Sequence, residues 1–207
     1  MVDLAPAGEE QRSRILRAAI ESIVEHGVDA VRLRDIARRA GVSTGMIQYY
    51  FESREDLLVE AFEWSSRELQ NALDAMFLSS ADPWAKIEML FSDAIDQPTL
   101  VHHCKRWVEL CAAASRRRVL RATARQSLEW WRRAVGAAIE EGIATKQFRP
   151  LLSQEMLTDL LVAALDGFEL TIASEAREVN PKDVQTVLLE TASTLLGVQR
   201  RRSRTRV

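Results

Sequence analysis

RLRDIARRAGVSTGMIQYYF, residues 32–51, reads as two short helices joined by a tight turn. Leu33, Ile36, Ala37 and Ala40 recur at helical spacing and give the first helix one apolar face. Gly41 stands where a left-handed residue ends a helix. Ser43 is a good N-cap for the second helix, in which Ile47 and Phe51, four apart, form the buried stripe. The remaining face carries Thr44, Met46, Gln48, Tyr49 and Tyr50 beside Gly45, where a backbone can approach a ligand closely. Helix, short turn, helix is the unit whose second member enters a DNA major groove. Arg32, Arg34, Arg38, Arg39 and Arg54 against Asp35 and Glu52 leave this segment at about +3, whereas the whole chain is at −2. An ordinary helical hairpin with a solvated basic face would show the same spacing.

The longer run LRDIARRAGVSTGMIQYYFESREDLL resembles the DNA-binding signature of the TetR family of bacterial transcriptional regulators. The matching features are Ile36-Ala37, Ala40-Gly41-Val42-Ser43, Gly45, the aromatic pair ending in Phe51, and Ser53-Arg54-Glu55. The resemblance implies that Thr44, Gly45, Tyr49, Tyr50 and Arg54 meet phosphates or bases, with Met46 and Gln48 on the groove side. Arg32, Arg34 and Ser43 are further candidates for DNA contact. Gln48 departs from a common Tyr, Tyr50 from a common His, and Arg32 from a hydroxyl residue that usually caps the first helix of the motif. An amide at Gln48 is able to bond adenine N6 and N7 together. Arg32 would reach a phosphate by charge rather than as a cap.

The chain has 207 residues, 47% of them hydrophobic, enough to bury a sizeable core. With 28 Lys and Arg against 30 Asp and Glu, any nucleic-acid binding must come from a local patch. Cys104 and Cys111 lie two helical turns apart, about 10 Å, too far for a disulfide, and read as core thiols. No apolar run is long enough to span a bilayer and MVDLAPAGEEQ lacks an export signal, so a cytoplasmic protein without membrane partners is expected. The first ten or so residues read as a disordered tail.

The rest of the chain reads as helix, which makes the expected fold all-α with about nine helices. Apolar repeats predict helices from Arg12 to His26, from Ser53 to Leu78, from Asp82-Pro83 to Ile95, from Thr99 to Ser115, and from the Arg116–Arg118 junction to Ala144. In the Thr99 helix Leu100, Trp107, Val108 and Cys111 are expected to face inward. Ser153 to Ser174 is apolar on two faces, and a last helix runs from Pro181 to Leu196 after Asn180. Pairing of these last two helices with a second copy would form a four-helix bundle on a two-fold axis, with Leu160, Gly167, Val184, Leu188 and Leu195 interfacial.

The segment from Arg106 to Pro150 and the helix LLVAALDGFEL also resemble the effector domain of the BetI-like branch of that family. The resemblance implies a helix-turn-helix domain at 9–69 and an effector-binding and dimerisation domain at 70–198; beyond it, residues 199–207 read by their charge as a basic tail. An effector pocket is expected from Phe62, Phe91, Trp107, Cys111, Trp131, Asp166 and Phe168, suited to an apolar or cationic small molecule.

Other chemistry is poorly supported. Gly41-Val42-Ser43-Thr44-Gly45 matches a nucleophile elbow, but a helix rather than a strand precedes Ser43. His102, His103 and Cys104 are consecutive on a helix, so their side chains fan out and cannot share a metal. No enzyme and no cofactor are expected. Two classes remain: a homodimeric, ligand-responsive regulator, a repressor on a palindromic operator, or a helical DNA-binding protein whose larger domain only dimerises.

Overall fold

The computed structural model describes residues 4–78, 80, 82–91, 97–176, 178 and 180–198. Among these residues all regular structure is helical: α1 Leu4–His26, α2 Leu33–Ala40, α3 Thr44–Tyr50, α4 Arg54–Leu78, α5 Pro83–Phe91, α6 Gln97–Arg116, α7 Arg121–Ala144, α8 Gln154–Ser174 and α9 Pro181–Leu196, with a 3-10 turn at Arg118–Leu120. The caps explain the starts. Ser53 Oγ accepts from Asp56 N at 3.1 Å and donates to Asp56 Oδ2 at 2.7 Å, opening α4. Asp82 Oδ1 accepts from Trp84 N, Ser153 Oγ from Met156 N and Asn180 Oδ1 from Lys182 N, and Pro83 and Pro181 take the first helical position after their caps.

Two starts differ from the sequence reading. α1 begins at Leu4 rather than near Arg12, so residues 4–11 are helix and not a tail. The apolar repeat marks only where the helix meets a core, while Ala5, Pro6 and Ala7 are all compatible with a first turn. Likewise Pro98 does not precede α6 but sits in its first turn, where a missing N–H costs nothing. The expected helical positions Ala94 and Ile95, and the basic tail 199–207, lie outside the described residues.

The chain divides into two compact units. One comprises the described residues of 1–72 and 101–128, the other those of 73–100 and 129–207. This differs from a division at residue 69, because part of the middle of the chain joins the first unit. Leu110 and Ala113 of α6 and Leu120 are packed into one core with Ile15, Ile23, Ile36, Ile47, Leu58 and Phe62. Periodicity shows that a face is buried, not which partner buries it.

Within the first unit α1 packs on α2 and α2 on α3. The buried face of α6 is turned from the expected one: Cys104, Leu110, Ala113 and Ala114 are buried, Trp107 and Val108 half-buried, and Cys111 exposed. The turn admits a charged residue to the interior. Arg106, 5% exposed, donates from Nη1 to Ser66 Oγ at 3.1 Å, and Ser66 Oγ lies 3.1 Å from Ser127 Oγ. Buried polar groups must be satisfied in this way, and no apolar pattern announces them.

In the second unit α8 and α5 pack on α9. Leu157, Leu161, Val162 and Ile172 of α8 and Val184, Leu188, Ala192 and Leu196 of α9 are buried. The second apolar face of α8 is exposed in the single chain, with Leu160 at 46% and Leu170 at 53%. After α7 the chain folds back so that the Phe148 ring covers Gly142, where an added Cβ would meet Phe148 Cδ2 at 2.0 Å.

Candidate nucleic-acid interface

The expected turn between α2 and α3 forms. Gly41 has φ 65° and ψ 37°; its N–H donates to Arg38 O at 3.3 Å and the Val42 N–H to Ala37 O at 3.0 Å, which closes the C-terminus of α2. Two residues on, Ser43 Oγ accepts from Met46 N at 3.1 Å and starts α3. That bond uses an acceptor lone pair and leaves the Ser43 O–H as a donor. Ile47 is the one buried residue of α3, and it anchors the helix to the core.

The rest of α3 is available. Thr44, Gly45 and Gln48 are exposed, Tyr49 is 80% exposed, and Met46 and Tyr50 are half-buried. Tyr50 packs on the core and meets Tyr49 edge to face at 5.2 Å, so its ring also supports the helix. Arg32 and Arg34 are exposed, with no ionic partner among the described residues. Arg38 is paired with Asp35 at 2.9 Å and Arg39 with Glu25, whose carboxyl is held below its ordinary range chiefly by that hydrogen bond. The arginines open to an external anion on this segment are therefore Arg32 and Arg34.

Arg54 makes contacts inside the protein that the sequence does not announce. Its Nε donates to Val31 O at 3.1 Å and its Nη2 to Val28 O at 2.5 Å and Val31 O at 3.1 Å. Burial, and then the nearby Arg117 charge, lower its pKa. This guanidinium is committed to the turn between α1 and α2. From α6, Glu109 Oε2 accepts the Val28 N–H at 3.1 Å, beside Gly27 with φ 79°. Arg117 completes the clamp, donating to Asp29 at 2.7 Å and to Glu55 at 3.4 Å, while Arg116 reaches Asp29 at 3.2 Å. These bonds hold the Asp29 carboxyl low and the Arg117 guanidinium high. The clamped turn leads directly into Arg32 and α2. Nothing in the spacing of Glu109, Arg117 and Arg54 reveals it, because the contacts join residues more than 20 positions apart.

The expected effector residues are divided between the units. Phe62, Trp107 and Cys111 belong to the first, and Phe91, Trp131, Asp166 and Phe168 to the second. Phe62 and Phe91 are fully enclosed in packing, Trp107, Trp131, Asp166 and Phe168 are half-buried, and Cys111 is exposed. Of the expected interface residues, Leu160 and Gly167 are exposed and Leu195 half-buried, but Val184 and Leu188 are 7% and 3% exposed within their own chain. Beside them Val187, passed over by the sequence reading of the interface, is 50% exposed. Among the described residues no cluster of three or more His, Cys, Asp or Glu would hold a metal, and no helix is long and apolar enough to cross a membrane.

A cap-and-turn motif that exposes an amide and hydroxyls on one short helix, with two unpaired arginines at the start of the helix before it, defines a helix-turn-helix DNA-binding protein. Residues 15–61 match the family described as bacterial regulatory proteins, tetR family, and residues 85–197 the BetI-type transcriptional repressor C-terminal domain. The chain belongs to the TetR family and carries a BetI-type C-terminal domain; it is a transcriptional regulator. The HTH-type transcriptional regulator BetI of Cronobacter sakazakii is 26% identical over 189 residues, covering 89% of this chain and 86% of that protein. Two solved structures share the fold. One is a putative transcriptional regulator from Saccharomonospora viridis in complex with choline, with TM-score 0.80, 23% identity and coverage of 93% and 100%. The other is the regulator FadR of Bacillus subtilis in complex with stearoyl-CoA, with TM-score 0.68, 19% identity and coverage of 90% and 99%.

Proposed function

We propose that this regulator is a repressor that binds a palindromic operator as a homodimer and is released by a small-molecule effector. The observation that carries the DNA reading is α3 itself: one residue anchors it and Thr44, Gly45, Gln48 and Tyr49 are left exposed. Arg32, Arg34, Ser43 and Tyr49 set its register on phosphates, while Gln48 and Met46 meet base edges. Arg54 acts through the 28–31 carbonyls rather than by touching DNA.

Dimerisation is supported by the outward face of α8 and α9, where Leu160, Leu170 and Val187 are each about half exposed. Apolar side chains so placed mark an interaction face, and a second copy offers the same face. Choline and stearoyl-CoA in structures of the same fold support a small-molecule signal. The test is selection of operator sequences from random duplexes, followed by binding in the presence of candidate small molecules. A selected palindrome bound by two chains supports the proposal. Recovery of asymmetric sites bound by one chain, or an operator complex that no small molecule alters, would count against it.

A further inference from the structure

The second unit contains an open cleft of about 510 Å³ that none of the expected effector residues lines. Trp130, Ala134, Ala137 and Ala138 form its floor, spaced three and four apart on one face of α7, and Phe77 near the end of α4 adds a second aromatic wall. Val135 and Ile139 lie on another face of α7 and are fully buried, and Ala138 on the cleft floor is buried as well. The cleft volume falls within the range of about 300 to 1,000 Å³ that suits a small organic molecule. Trp131 meets the Trp130 ring edge to face at 5.3 Å and 86°, which steadies the indole.

The charges decide the class of occupant. Lys86 and Glu141, both on the lining, pair with each other at 2.5 Å. Asp74 and Arg133 remain, one acid and one base, both exposed and neither engaged by another side chain among the described residues. A simple cation would meet Asp74 and the indole face but be opposed by Arg133; a simple anion would meet the reverse. We propose that this cleft binds an amphipathic zwitterion, a molecule whose cationic and anionic groups flank an apolar body. Its ammonium lies toward Asp74 and Trp130, its carboxylate toward Arg133, and its apolar part on the alanine floor. That such a ligand would alter transcription rests on the reading of the chain as a ligand-responsive regulator.

The test is calorimetric titration of the full chain with three probes that share an eight-carbon chain, all below their micelle concentrations: octanoylcarnitine, octyltrimethylammonium and octanoate. Octanoylcarnitine should bind about tenfold more tightly than either singly charged probe. Asp74→Asn should erase its lead over octanoate and Arg133→Gln its lead over octyltrimethylammonium, while Ala137→Phe, which fills the floor, should abolish binding. Equal binding of the three probes would overturn the proposal, as would octanoylcarnitine binding unchanged by Asp74→Asn and Arg133→Gln; these surface variants serve even where Ala137→Phe does not fold. Operator affinity is measured alongside. Cleft binding that leaves operator affinity unchanged keeps this proposal and removes the ligand-responsive reading for this site. A shift in operator affinity that survives both variants does the opposite.

Discussion

The outer face of α3 and the outer face of α8 and α9 are both exposed in the single chain, but they are opposite in kind. α3 presents Thr44, Gly45, Gln48 and Tyr49; α8 and α9 present Leu160, Leu170 and Val187. Hydroxyl and amide groups are content in water until a partner offers matching donors and acceptors, so their exposure costs little. Each apolar side chain left in water forgoes roughly 25 cal/mol per Å². The first face therefore suits a polar, charged partner that comes and goes, and the second a standing one. Exposure by itself does not separate these cases; the chemistry of what is exposed does.

The sharpest way to break the comparison is to place a charge beneath or on the outer surface of α8 and α9. Leu188→Glu buries an unpaired carboxylate in the protomer's own core and should cost several kcal/mol, enough to lose the cooperative melt. Leu160→Glu or Val187→Glu should leave the circular dichroism of a folded helical chain but shift sedimentation at micromolar concentration to the monomer. A Val187→Glu variant that remains a dimer would place the subunit contact on another surface. The two faces should also answer salt in opposite ways. If Arg32 and Arg34 of two heads neutralise four phosphates, raising salt from about 50 to 200 mM should weaken operator binding by roughly a hundredfold, while the apolar contact holds. A dimer that dissociates with the same salt dependence would mean that its interface is ionic.

Legibility differs between the two regions for a physical reason. The α2–α3 turn depends on neighbours within a few residues, so Gly41, Ser43 and Ile47 announce it in the sequence. The caps at Asp82, Ser153 and Asn180 are local in the same sense. What escaped was contact at a distance: the membership of Leu110 and Leu120 in the first core, the burial of Arg106 against Ser66, and Val184 and Leu188 turning inward while Val187 turns out. Arg54 shows the difference most clearly. The resemblance implies a DNA contact for it, and the structure adds bonds from its guanidinium to the Val28 and Val31 carbonyls. Arg54→Ala should destabilise the first unit by roughly 2 to 3 kcal/mol, the scale of a lost charged hydrogen bond. Arg54→Lys should recover only part of it, because an ammonium lacks the fork that spans two carbonyls. Unchanged melting together with weaker binding to every DNA sequence would instead return Arg54 to the phosphate contacts.

The smallest effect lies on α3 and concerns which bases are read. Tyr49 and Gln48 are adjacent and both exposed, yet their chemistry assigns them different work. A phenol has one O–H, enough to hold a phosphate oxygen but not to distinguish a base pair by two atoms. The Gln48 amide has a donor and an acceptor side by side, the pair that adenine offers at N6 and N7 in the major groove. Tyr49→Ala should therefore weaken all sites alike, leaving the order of preference among selected sequences intact. Gln48→Ala should flatten the preference at one position of each half-site by roughly 1 to 3 kcal/mol, with the melting temperature unchanged because the side chain packs against nothing in the core. The measurement is a selection from random duplexes with each variant, scored position by position. A Gln48→Ala profile identical to the parent's would remove Gln48 from base reading and leave the discrimination to Met46 and Thr44 on the same helix.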